Sequence, residues 1–287
     1  MKIRDILNEK EITLSFEVFP PKTEAGIETV EGAAKEIAGL HPQFMSVTYG
    51  ADGGASEYTA KVASDIQNNF GTTVLAHLTC VSSDKRKIKE MLDIYKDNGI
   101  ENIMALRGDI PEGGRTCFDF EHAVDLVKAI KDIDSEICIG GACYPEGHVE
   151  STNASEDIKY LKEKVDAGCD FLTTQMFFDN NTMYNFMYRI REAGIKVPIL
   201  AGIMPITNGK QVARSVKLSG ATIPQRFRMM VDKFGDNPEK MKQAGVIYAT
   251  EQIIDLISNG ITHIHVYSMN KPEIVSGIMN SMSEILK

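Results

Sequence analysis

Eight short apolar runs, each closing on a polar residue, a tight glycine turn or both, constrain this chain more than any other feature. They read Ile12–Phe19 before Pro20-Pro21, Phe44–Gly50, Val74–Thr79, Asn102–Asp109, Ile137–Tyr144, Phe171–Gln175, Ile199–Pro205 and Thr262–Tyr267 before Asn270. Runs rich in Val, Ile, Leu and Ala suit strands of a parallel sheet covered on both faces. A closed (β/α)8 barrel sets its chemistry where such strands end. The same pattern therefore predicts the architecture and nominates the site.

Helical patterns separate the runs. Val30, Ala33, Ala34, Ile37 and Leu40 recur at helical spacing, as do Ile88, Met91, Leu92 and Tyr95, and Ala123, Leu126, Val127 and Ile130. Gly71, Gly99, Gly168, Gly194, Gly220 and Gly260 each follow such a stretch, where a left-handed cap favours a residue without Cβ. Strand and helix alternate with no low-complexity linker, which favours one barrel domain over residues 1–287. Residues 208–219 and 224–234 predict extra helices between the seventh and eighth strands. An open dinucleotide-binding sheet would carry G-x-G-x-x-G after an early strand, and this chain has none. Gly50-Ala51-Asp52-Gly53-Gly54 has the wrong spacing and reads equally as a phosphate-binding turn or a plain loop.

Charge narrows the partners. Lys and Arg total 31 against 40 Asp and Glu, a net charge of -9, which repels a phosphate backbone and argues against nucleic acid. No apolar stretch is long enough to span a bilayer, and Met1–Asp5 lacks a signal core, so a cytoplasmic protein without membrane attachment is expected. Five cysteines, an odd count without C-x-x-C spacing, read as apolar filler in a reducing compartment.

Certain polar residues stand out against these strands. Glu17 lies among Phe16, Val18 and Phe19, where desolvation would raise its pKa toward that of a general acid; the alternative is a carboxylate paired with a barrel Lys or Arg. Arg107-Gly108-Asp109 ends the fourth run with two opposite charges about a turn, and reads either as a site or as an internal ion pair. Gln175 ends the sixth run with an amide that can donate and accept at once, which suits a heterocycle edge. His263 and His265 fall on one face of the eighth run and, with His77, raise the question of a metal. A catalytic metal takes about three protein ligands, and no acidic cluster completes the set, so hydrogen-bonded histidines and no metal are expected.

Eight segments carry a more specific signal together than apart. They are Ser15–Lys22, Val47–Ala51, His77–Cys80, Ala105–Asp109, Tyr144–His148, Lys164–Gly168, Thr174–Asp179 and Gly202–Pro205. In this order, between about residues 12 and 272, they resemble methylenetetrahydrofolate reductase. The resemblance is to the short bacterial form with the catalytic domain alone, so inhibition by S-adenosylmethionine is not expected.

The resemblance implies a (β/α)8 barrel with non-covalent FAD at the C-terminal mouth, and NADH or NADPH as transient co-substrate on the same flavin face as folate. It implies ping-pong reduction of 5,10-methylenetetrahydrofolate to 5-methyltetrahydrofolate. Glu17 becomes the general acid, and Asp109 the carboxylate that contacts the pterin and tunes the flavin. FAD contacts fall to Thr48, Tyr49, Ala51, His77, Arg107, Gly108, Asp109, Tyr144, His148, Asp157 and Lys164, joined by His122 and Ala123. Substrate contacts fall to Glu17, Thr48, Asp109, Gln175, Gln211 and Lys271. Ser215 departs from the aromatic residue common at its position, and Lys271 from an Arg, which alters bidentate geometry. A homo-oligomer is expected. Two alternatives stay open: an FAD-bearing subunit reduced by a partner electron-transfer protein, and a metal-dependent barrel hydrolase.

Overall fold

The computed structural model describes residues 1–49, 56–81, 83–110 and 113–287, except the side chains of 56, 214, 217 and 218. Eight parallel strands close into a barrel in sequence order: β1 (Thr13–Val18), β2 (Met45–Val47), β3 (Val74–Thr79), β4 (Asn102–Leu106), β5 (Cys138–Cys143), β6 (Phe171–Thr174), β7 (Ile199–Ile203) and β8 (His263–Tyr267). Around them run α1 (Ile3–Glu9), α2 (Ile27–Ala38), α3 (Ser56–Ser64), α4 (Lys85–Asp97), α5 (Ala123–Ile133), α6 (Ala154–Asp166), α7 (Asn180–Glu192), α8 (Gln211–Ser219), α9 (Gln225–Phe234), α10 (Pro238–Ser258) and α11 (Pro272–Ser281). The expected extra helices between the last two strands are α8 and α9, and α10 follows them before β8. The six glycines expected as helix stops all take positive φ.

Strand periodicity sorts the side chains into two cores. Leu14, Phe16 and Val18 of β1 join the layer under the helices, together with Ile103, Ile139, Leu172, Ala201 and Val266. The alternate residues point into the lumen. Leu75, Met104, Cys138, Phe171 and Leu200 fill its lower half, and Ile3, Ile6 and Leu7 of α1 close it from below. Ile3 N–H donates to Asn102 Oδ1 at 2.7 Å, which fixes that plug to β4. Gly140 is part of this fit, because a Cβ there would sit 2.7 Å from the Phe171 ring.

Register decides what meets above the plug. Glu17 lies opposite Ser46 of β2 and Tyr267 of β8, and Ser15 lies opposite His265. The upper lumen is therefore polar and the lower lumen apolar. Four of the cysteines, Cys80, Cys138, Cys143 and Cys169, are buried free thiols, and burial pushes each above its ordinary range.

Candidate active site

Glu17 is an acid held in a desolvated lumen. Its carboxyl Oε2 lies 3.7 Å from His77 Nε2 across the strand between them. Burial pushes Glu17 up to about 8, against a smaller downward pull from Ser46, and pushes His77 down to about 4. Near neutral pH both groups are uncharged. No Lys or Arg pairs with Glu17 among the described residues, so the paired-carboxylate alternative is not what the barrel builds. Tyr267 stands beside it with its phenol raised well above its usual value, first by burial and then by the Glu17 charge. Its hydroxyl donates to Thr174 O at 2.6 Å.

The histidine pair is engaged by hydroxyls. His265 Nδ1 lies 2.8 Å from Ser15 Oγ, its Nε2 lies 3.1 Å from Ser46 Oγ, and its ring stacks on Phe44. His263 Nδ1 meets Thr13 Oγ1 at 3.1 Å. Burial lowers His265 to about 3, with His77 as the lesser cause.

Beside this lumen, past β4 and β5, opens a cavity of about 450 Å³. Among its walls are Arg107, His122, Ala123, Tyr144, His148, Asp157 and Lys164, seven residues nominated from sequence. Arg107 follows β4, and its Nε donates to Gly108 O at 3.2 Å. Gly108 has φ +85°, and a Cβ would lie 2.8 Å from Val81 Cγ1, so the turn takes glycine alone. His122 caps α5, and its backbone N–H donates to Asp125 Oδ2 at 2.9 Å. Tyr144 and His148 meet edge to face at 4.6 Å, and burial pushes the Tyr144 phenol up to about 12. Asp157 accepts from Ser151 Oγ at 3.1 Å, and Lys164 Nζ donates to the Ala142 carbonyl.

Arg107 pairs with Glu150, a residue that sequence reasoning missed. Nη1 donates to Oε2 at 2.5 Å and Nη2 to Oε1 at 2.8 Å, a bidentate fork. This bond holds Glu150 below its ordinary range and Arg107 above its own. Asp109 is exposed just past β4, and among the described residues it makes no such pair. Ser15 and Ser46 were also missed, since a strand serine carries no signal until its neighbour across the sheet is known.

The remaining nominated residues ring the mouth separately. Thr48 and Tyr49 follow β2, and Thr48 O accepts from Thr59 Oγ1 at 3.0 Å. Ala51 and the glycine run around it lie outside the described residues. Gln175 follows β6, and its Oε1 accepts from Met176 N–H at 2.9 Å. Gln211 opens α8. Lys271 caps α11, and its Nζ donates to Thr207 Oγ1 at 3.2 Å, which ties the β8 exit to the β7 exit. Ser215 is buried within α8.

Aromatic, cationic and tight-turn residues about one cleft suit a ligand with a planar ring and an anionic linker. Comparison with known proteins bears on which ligand. Residues 2–283 match the family model of methylenetetrahydrofolate reductase. A relative in Arabidopsis thaliana, methylenetetrahydrofolate reductase (NADH) 1, is 34% identical over 305 residues, covering 99% of this chain and 50% of that protein. The 5,10-methylenetetrahydrofolate reductase of Escherichia coli is 34% identical over 286 residues, covering 97% of this chain and 95% of that protein. The chain thus spans about half the length of the plant relative and nearly all of the bacterial one. Among solved structures, a Clostridium thermocellum protein described as binding two copies of 5-methyl-5,6,7,8-tetrahydrofolic acid superposes with a TM-score of 0.66 at 16% identity, over 99% of this chain and 100% of that one. At that identity the likeness speaks to the fold.

Proposed function

Because the chain belongs to the methylenetetrahydrofolate reductase family, we propose that its barrel mouth reduces 5,10-methylenetetrahydrofolate to 5-methyltetrahydrofolate, with Glu17 as general acid. The observation that carries this reading is the Glu17 carboxyl set among Ser46, His77 and Tyr267 with no Lys or Arg beside it among the described residues, where burial pushes it up to about 8. Breaking the methylene bridge requires a proton on the departing nitrogen. A protonated Glu17 can give one, and an ionised glutamate could not. The bridge then opens to a cation, which accepts a hydride equivalent. His77, lowered to about 4, adds no positive charge to repel that cation.

FAD, when bound, supplies the hydride carrier between NADH or NADPH and the folate. The donor set fits it. Arg107 offers a planar cation for a pyrophosphate, Lys164 a second cation, and Tyr144 a half-buried aromatic wall in the same cavity. Thr48, Tyr49, His77, Gly108, His122, Ala123, His148 and Asp157 complete the cofactor surface in this reading. Asp109, at the exposed lip, would face the pterin, with Gln175, Gln211 and Lys271 along the rest of the substrate. An aspartate there favours a developing cation electrostatically. The reading treats residues 1–287 as one catalytic barrel.

An anaerobic titration followed by visible absorbance tests it. NADH or NADPH should bleach the flavin, and methylenetetrahydrofolate should restore the oxidised spectrum. Recovery only after chemical reduction would keep the folate chemistry and point to a protein electron donor. A chain that takes up no FAD would sink the assignment.

A further inference from the structure

The ladder between β6 and β7 stops one rung short of the mouth. The two strands pair through Leu172 with Ile199 and Thr173 with Leu200. In a parallel ladder the next rung would set Gly202 N–H on the Thr174 carbonyl. Here Gly202 N–H donates instead to the Thr174 side chain, Oγ1, at 2.8 Å. The carbonyl is released from the sheet and accepts from the Tyr267 hydroxyl of β8 at 2.6 Å. Tyr267 reaches it over Gly202, where a Cβ would lie 2.2 Å from Thr174 O and 2.6 Å from the phenol oxygen. Any side chain on β7 at this point would bar β8 from β6.

The released carbonyl shares one planar peptide with the Gln175 N–H. That N–H donates to the Cys143 carbonyl of β5 at 2.7 Å. The peptide is therefore held at both edges, by β5 on one side and by β8 on the other. A planar group bonded at both edges fixes the direction in which the next side chain leaves the strand end. Thr174 is buried and Gln175 half-buried, so the lock lies just beneath the residue it aims.

We propose that Thr174 is a positioning residue: its hydroxyl takes the place of its own carbonyl in the sheet, so that Tyr267 locks the peptide that aims Gln175. The proposal rests on the reading that puts Gln175 on the folate. Valine has the shape of threonine without the acceptor. In Thr174→Val the buried Gly202 N–H is left with the residue-174 carbonyl as its acceptor. The peptide turns back into the ladder, Tyr267 loses its partner, and Gln175 turns with the peptide.

Calorimetric binding of methylenetetrahydrofolate to the oxidised, FAD-loaded protein tests this without turnover. Thr174→Val should weaken binding about ten-fold, a hydrogen bond's worth. Bleaching by NADH or NADPH should keep its wild-type rate, which a general loosening of the barrel would not spare. Thr174→Ser keeps the hydroxyl and should bind folate as the wild type does. Gln175→Ala should weaken binding alone, and adding Thr174→Val to it should cost nothing further. Wild-type affinity in Thr174→Val, no rescue by Thr174→Ser, or full additivity with Gln175→Ala overturns the lock. Wild-type affinity in Gln175→Ala instead takes Gln175 off the folate, and the proposal falls with that reading. Should Thr174→Val not fold, Tyr267→Phe frees the same carbonyl with Thr174 intact. It should show the same ten-fold loss, and an unchanged affinity would overturn the lock.

Discussion

Glu17 and His77 face each other at 3.7 Å across the upper lumen, and neither carries a charge near neutral pH. Geometry alone would make this an ion pair. Burial acts on both groups in the same sense, against the charged form, and it exceeds what one contact of this length returns.

A pH dependence follows. Between its ordinary carboxyl range and about 8, Glu17 keeps its proton in the folded state and loses it in the unfolded state. The folded state binds more protons there, so this group's contribution to stability falls as pH rises through that window. His77 acts oppositely: its contribution rises from about pH 4 to its ordinary value and is then constant. Denaturant melts of wild type and Glu17→Gln should therefore diverge in favour of the variant from acid to about pH 8, by at most about 5 kcal/mol. Parallel curves would show that Glu17 ionises normally.

The same substitution separates the two half-reactions. Glu17→Gln keeps the shape and removes the proton. Folate reduction should fall by at least about 100-fold, while bleaching by NADH or NADPH stays near the wild-type rate. Stopped-flow traces of each step measure this, and equal losses in both would remove the folate-specific role.

Glu150 occupies the guanidinium fork of Arg107 that an anionic linker would otherwise use. Glu150→Gln weakens that occupancy without emptying the space. FAD should bind the variant several-fold more tightly, and Arg107→Lys, which loses the fork, about ten-fold more weakly. Quenching of flavin fluorescence on titration into apoprotein reads both. Weaker binding by Glu150→Gln would mean that Glu150 steadies Arg107 for the ligand.

The barrel was legible because parallel strands buried on both faces leave runs that little else in a sequence imitates. Glu17 stood out because a carboxyl among Phe16, Val18 and Phe19 must be desolvated or paired, and the sequence left both readings open. Ser15 and Ser46 did not, because a small hydroxyl in a strand fits either face and its meaning comes from register with His265 and Glu17. Glu150 was hidden for a related reason: its partner, Arg107, lies 43 residues earlier, and a loop glutamate reads as ordinary surface.

Gly140 and Phe171 test the lower lumen by a double-mutant cycle. A methyl group at residue 140 would lie 2.7 Å from two Phe171 ring carbons and 3.1 Å from Met104 Sδ. Gly140→Ala should destabilise the fold by roughly 1–3 kcal/mol through overpacking. Phe171→Leu alone should cost a similar amount, because it opens space above the α1 plug. Together the two changes fit each other, so the double variant should be more stable than the sum of the single losses by about 1 kcal/mol or more. Urea denaturation of the four proteins measures the coupling. Strict additivity would mean that the backbone at Gly140 moves away from the ring, and that the lumen is filled less tightly than the distances between these two residues require.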